Sequence, residues 1–176
     1  LSEEFHMFQL KKLSLDALPR AIGKAEHYRL LNDPRAAESI CLDVLAADET
    51  NQRALVILLL STTDLFGEEG RATPETARAL LPRIGDDYVR SYYAGMICER
   101  WGKHLMAEKV PGHVSHGWIH EAMTHYQLAS HMSPAGNDDA LLRWNTCARL
   151  LNQHGDLKPR AEEIGEMGED GDVPRR

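Results

Sequence analysis

The chain has 176 residues, 43% of them hydrophobic and 27% charged, with a formal net charge of −7. That is the length and balance of one globular domain, and the acidic excess argues against a general nucleic-acid or anionic-membrane binder, either of which needs a basic face. Three widely spaced cysteines, Cys41, Cys98 and Cys147, form no C-x-x-C pair, so neither a disulfide framework nor a zinc knuckle fits; buried thiols in a reducing, cytoplasmic compartment are expected.

The opening "LSEEFHMFQLKK" has no charged-then-apolar layout, so residues 1–17 read as an N-terminal extension without a secretion signal. In "LPRAIGKAEHYRLL", Ile22, Ala25, Tyr28 and Leu31 form an apolar stripe of helical period. A second helix follows almost at once. Asp33 can cap it, Pro34 can occupy its first turn, and Ala37, Ile40, Cys41, Val44 and Leu45 continue the stripe. So short a junction predicts an antiparallel hairpin. "NQRALVILLLSTTDLFG" is a third helix, apolar nearly all round and therefore expected to be sandwiched centrally. Its "ALVILLL" is the longest apolar run, far short of the ~20 residues that span a bilayer.

"ATPETARALLPRIG" predicts a fourth helix capped by Thr73, with Pro82 kinking or ending it. "YVRSYYAGMICERWGKHLMAEK" is a long fifth helix, broken by "VPGHV"; a sixth runs over about 115–133, and "DDALLRWNTCARLLNQH" is a seventh, capped by Asn137 or Asp138. No convincing period-two alternation occurs, so the fold class is all-α. From Gly155 onward the chain has four glycines, two prolines and seven acids against four bases, and a disordered tail over 154–176 is expected.

Tandem helix pairs prompt a search for repeats. Ala122, Tyr126, Ala129 and Pro134 stand where the tetratricopeptide repeat places small, bulky, small and proline residues in its second helix. Gly95 and Ala25 match the small residue of its first helix, with Tyr28 and Ala37 following in register and Gly102 at the turn between helices. The chain resembles this family over residues 18–153, with about three and a half repeats starting near 18, 52, 88 and 137. The last spacing carries about fifteen extra residues, expected in an elongated fifth helix and the "VPGHVSH" loop. Departures are Leu59 and Thr62 in the second repeat, and Trp144 in the last, which has only its first helix. The resemblance implies a right-handed superhelical solenoid of antiparallel helix pairs, with the cysteines at core positions.

It also implies a non-enzymatic interaction module, an adaptor or scaffold that takes a protein or peptide segment in a concave groove. The first helices of the repeats would line that groove through Glu26, Arg29, Arg53, Tyr92, Met96, Glu99, Arg100, Asn145 and Arg149. Arg100 and Arg149 could clamp a carboxylate of the partner. No cofactor is implied, and no phosphate loop, nucleophile elbow or calcium loop is present.

The histidines of "HGWIHEAMTHYQLASHMSP" raise a rival reading, a divalent-metal binder within the 104–131 cluster. Taking His116 as zero on a helical wheel, His120 falls at about 40°, His131 at about 60° and His125 at about 180°. His116 and His120 could grip one ion, but His131 lies about 16 Å further along the axis. "HEAMTH" misses the H-E-x-x-H spacing, which turns Glu121 and His125 away from His120, so a third ligand would have to come from His104 or His113. No metal site is assigned on this pattern. A second alternative is self-association, a homodimer through the long fifth or exposed last helix.

Overall fold

The computed structural model describes residues 8–68 and 72–159. Among these the regular elements are all helical, with no strand. They divide between Leu65 and Phe66 into two compact units.

The first unit holds α1 (Leu18–Leu30), α2 (Pro34–Ala47) and α3 (Gln52–Asp64), preceded by a 3-10 turn at Leu15–Ala17. α1 ends where Asn32 takes φ = 60°, a left-handed conformation that asparagine tolerates. The Asp33 amide donates back to the Tyr28 carbonyl at 2.9 Å, while the Asp33 carboxylate accepts from the Ala36 amide at 3.1 Å and opens α2. This single turn both closes one helix and caps the next, so α1 and α2 fold back on each other as the sequence predicts. The following turn is equally local. Asp48 accepts from Thr50 and Asn51, and Asn51 in turn caps α3 through the Ala54 amide at 3.1 Å. Ala25 and Ala37 are fully buried with Cys41, Val44, Leu55 and Leu59, so small residues lie where α1 and α2 close on each other.

In the second unit Thr73 and Thr76 cap α4 (Pro74–Arg78) reciprocally, but the helix stops after five residues. Pro82 has no amide to give and its ring would collide with the carbonyl four residues back, at Arg78. The chain goes on as a 3-10 turn, Leu81–Arg83. Asp86 caps α5 (Asp87–Ala107) through the Val89 amide at 2.8 Å, and a short turn with Lys109 at φ = 56° leads to α6 (Gly112–Met132). The "VPGHVSH" stretch is therefore mostly helix rather than loop, and the extra residues expected there go into two helices of 21 residues each. Gly102, expected at a turn, sits inside α5. A Cβ there would lie 2.8 Å from Ile119 Cδ1, and one at Gly95 would lie 2.7 Å from Tyr126 Cε1. These two glycines, two helical turns apart, let α5 and α6 approach closely.

α7 (Asp139–Gln153) packs on α6, and its first amide bonds to Asn137 Oδ1 at 3.0 Å; Asp138, the other candidate, makes no side-chain cap. The core of this unit joins Cys98, Ile119, Ala122, Tyr126 and Cys147, with Tyr92, Trp118, Trp144 and Leu151 packed around them. Beyond α7 the chain does not leave the body at once: Leu157 is buried and the Asp156 carbonyl lies over Gly112. The rest of the expected tail, and residues 1–7 of the extension, lie outside the described residues.

Candidate functional site

The residues expected to line a partner groove separate into two groups. In the first unit Glu26, Arg29 and Arg53 come to one side of α1 and α3, where they are engaged within the chain. Arg53 donates to both Glu26 oxygens at 2.7 Å, and Arg29 donates to Asp64 at 2.6 Å. The structure thus brings these predicted residues together, as ion pairs linking two helices.

In the second unit Met96 and Glu99, expected on an open face, are buried. Glu99 is 1% exposed and has three partners. Tyr126 donates its hydroxyl to one carboxylate oxygen at 2.7 Å; Lys103 and Arg143 donate to the other at 2.5 and 3.3 Å. A carboxylate with no access to water needs this many donors. Burial, then the Glu99 carboxylate, pushes the Tyr126 hydroxyl far above its ordinary value, so it stays a donor. Arg143 also bonds to Tyr92, which stacks against Tyr88 and meets Tyr126 with ring centres 5.7 Å apart. The node therefore ties α5, α6 and α7 together. Its outer edge, formed by Lys103, Arg143 and half-buried Tyr92, reaches solvent. On α7, Asn145 is half-buried and Arg149 exposed, and Leu141 and Leu142 of the same helix are 48% and 61% exposed; Arg100 is half-buried.

The histidines take different places. The rings of His116 and His120 stack 5.9 Å apart at 14°, and His104 lies on Trp101 and over Gly67. Among the described residues neither His104 nor His113 joins His116 and His120 as a third ligand; the group of three potential ligands is instead Cys98, Glu121 and His125. Cys98 comes from α5, and Glu121 and His125 from successive turns of α6, with all three ligand atoms within 4.8 Å of one another. Arg78 of α4 reaches the same point, 2.7 Å from Glu121 and 3.3 Å from Cys98 Sγ, while its guanidinium lies 4.8 Å above the Trp118 ring. Burial pushes the Cys98 thiol up to about 11, with Arg78 opposing and Glu121 adding to that shift, so the uncoordinated sulfur is a poor nucleophile at neutral pH.

Sequence reasoning missed this cluster because it tested Glu121 and His125 only against His120. Their i, i+4 spacing was the available signal. No helix among the described residues is long and apolar enough to cross a membrane. Compared with models of known families, with curated proteins and with solved structures, the chain matches none.

Proposed function

We propose that the chain is a non-enzymatic, tetratricopeptide-like interaction module, acting in a reducing cytoplasmic compartment, and that α5 and α7 receive an acidic, amphipathic segment of a partner protein. The observation that carries this reading is the set of solvent-reaching residues on α5 and α7, Tyr92 and Lys103 on the first and Leu142, Arg143 and Arg149 on the second. In a chain of net charge −7, Lys103 and Arg143 meet at the Glu99 carboxylate, and α7 carries Leu142 and Arg149 exposed. Glu99, buried among its donors, already engages Lys103 and Arg143. Tyrosine and arginine are the residue types enriched in binding hot spots, and the cations select carboxylates on the incoming segment.

The test is fluorescence anisotropy with a labelled helical peptide carrying leucine and glutamate at i, i+4 spacing, against the same peptide with lysine for glutamate. The acidic peptide should bind, the basic one should not, and a Leu142→Asp, Arg149→Glu variant should lose at least tenfold in affinity, since desolvated anchor and clamp residues are each worth roughly 1.4 kcal/mol or more. Equal binding of the two peptides, or of both proteins, would refute the assignment. Sedimentation across a concentration series separates the rival occupant, a second copy of this chain, which would bury the same leucines without any peptide.

A further inference from the structure

We propose that Cys98, Glu121 and His125 form a binding site for a zinc-class divalent transition metal, with Arg78 as a built-in competitor for the same position. This site is independent of the α5–α7 face, because its ligands lie on other sides of α5 and α6.

The donor set points to the metal. A thiolate sulfur, an imidazole nitrogen and a carboxylate oxygen suit zinc and its neighbours, whereas calcium and magnesium require oxygen alone. The geometry is close to what such an ion needs. Bond lengths of about 2.0–2.3 Å place tetrahedral ligand atoms about 3.3–3.8 Å apart. His125 Nε2 and Glu121 Oε1 are 3.7 Å apart already, on the same face of α6 one turn apart, and all three ligand atoms lie within 4.8 Å of one another. Cys98 is fixed in the core, while His125 and Glu121 are 33% and 45% exposed, so the fourth coordination position opens to water. Three protein ligands with an open position make an exchangeable site rather than a closed structural one.

Arg78 supplies the second line of argument. One guanidinium nitrogen already sits between the sulfur and the carboxylate, so the position is one that attracts a cation. The charges balance in both occupancies. A neutral thiol, a carboxylate and a guanidinium sum to zero; so do a thiolate, a carboxylate and a divalent ion. Exchange therefore breaks the S–H bond, sends that proton to solvent, forms a metal–sulfur bond and releases Arg78, with no oxidant or reductant.

Cobalt(II) titration of the full chain tests the site, because a thiolate ligand gives a near-ultraviolet sulfur-to-cobalt charge-transfer band that imidazole and carboxylate do not. The expected result is that band with tetrahedral visible bands, abolished by zinc. Cys98→Ser should remove the near-ultraviolet band. His125→Ala, at a half-exposed position that leaves the core intact, should weaken cobalt roughly tenfold or more and carries the test should Cys98→Ser fail to fold. Arg78→Ala should bind more tightly, by roughly tenfold, since the competent site is no longer occupied from within. A His116→Ala, His120→Ala double variant should titrate as the parent does. The proposal is overturned by a missing charge-transfer band, by Arg78→Ala binding no tighter, or by loss of binding in the His116, His120 variant alone.

Discussion

Replacing Gly95 by alanine puts the close approach of α5 and α6 under direct strain. The new Cβ would lie 2.7 and 2.8 Å from two ring carbons of Tyr126 and 3.1 Å from the Ala122 carbonyl oxygen. None of these can step aside. Tyr126 is fully buried with its hydroxyl held by Glu99 at 2.7 Å, and the Ala122 oxygen belongs to the backbone of α6. Overpacking of this kind costs about 3 kcal/mol, the upper end of its usual range, while alanine returns about 1 kcal/mol of helix propensity over glycine. The net loss of about 2 kcal/mol should lower the melting temperature by about 4–8 °C. Gly117→Ala is the control. It lies in α6 with nothing within 4 Å of its added Cβ, so it should gain about 0.5–1 kcal/mol and melt slightly higher. All three tryptophans, Trp101, Trp118 and Trp144, fall in the second unit, so thermal unfolding followed by tryptophan fluorescence reads that unit for both variants. Gly95→Ala melting at or above the parent, or both substitutions moving the midpoint in the same direction, would show that the two helices are not in contact there.

Tyr126→Phe keeps the ring and removes one charge-assisted bond to Glu99, and should cost about 2 kcal/mol in the same fluorescence melt. Gly112→Ala would drive a Cβ into the Asp156 carbonyl oxygen, so hydrogen exchange at the Leu157 amide should speed up while amides in the middle of α6 keep their protection. The three free thiols are all buried, and a disulfide-exchange reagent should label none in the native chain and three in denaturant. Burial, aided by Glu26 and Glu38 at Cys41 and by Glu99 at Cys147, pushes both thiols up to about 12. A folded-state value raised above the unfolded one gives stability that is complete below about pH 9 and lost as pH rises toward 12, so the urea midpoint should fall across that interval, in step with thiolate absorbance.

The legible part of the fold was its punctuation and its small residues. Asp33 with Pro34 and Thr73 with Pro74 begin helices as local chemistry requires, and the residues singled out for close packing, Ala25, Ala37, Gly95, Ala122 and Ala129, are all buried. What escaped was set by distance along the chain. Arg78 meets Glu121 across 43 residues and Arg143 meets Glu99 across 44, and no local pattern carries such pairings. Glu99 and Met96 were assigned to an outward face by repeat register alone. Register gives the angle of a side chain on its helix; whether a neighbouring helix then covers it depends on α7, and here Arg143 closes over the carboxylate. The fourth helix was placed correctly and its length was not, because Pro82 acts on the carbonyl of Arg78 rather than on its own neighbours.

Two of the ionic contacts differ in what they can do. The Glu26–Arg53 pair lies in solvent, with side chains 40% and 62% exposed, and a pair so placed adds little to stability. Glu99 is different. Sealed from water, its carboxylate makes a wrong register of α6 or α7 against α5 expensive, because such a misplacement takes away the Tyr126 or the Arg143 donor and leaves Lys103 alone. An apolar side chain at this position would pack without specifying which partners it meets. One step along α5, Cys98 turns about 100° away to face α4 and α6. Consecutive residues thus anchor two separate polar centres, one joined to α7 and one to Arg78.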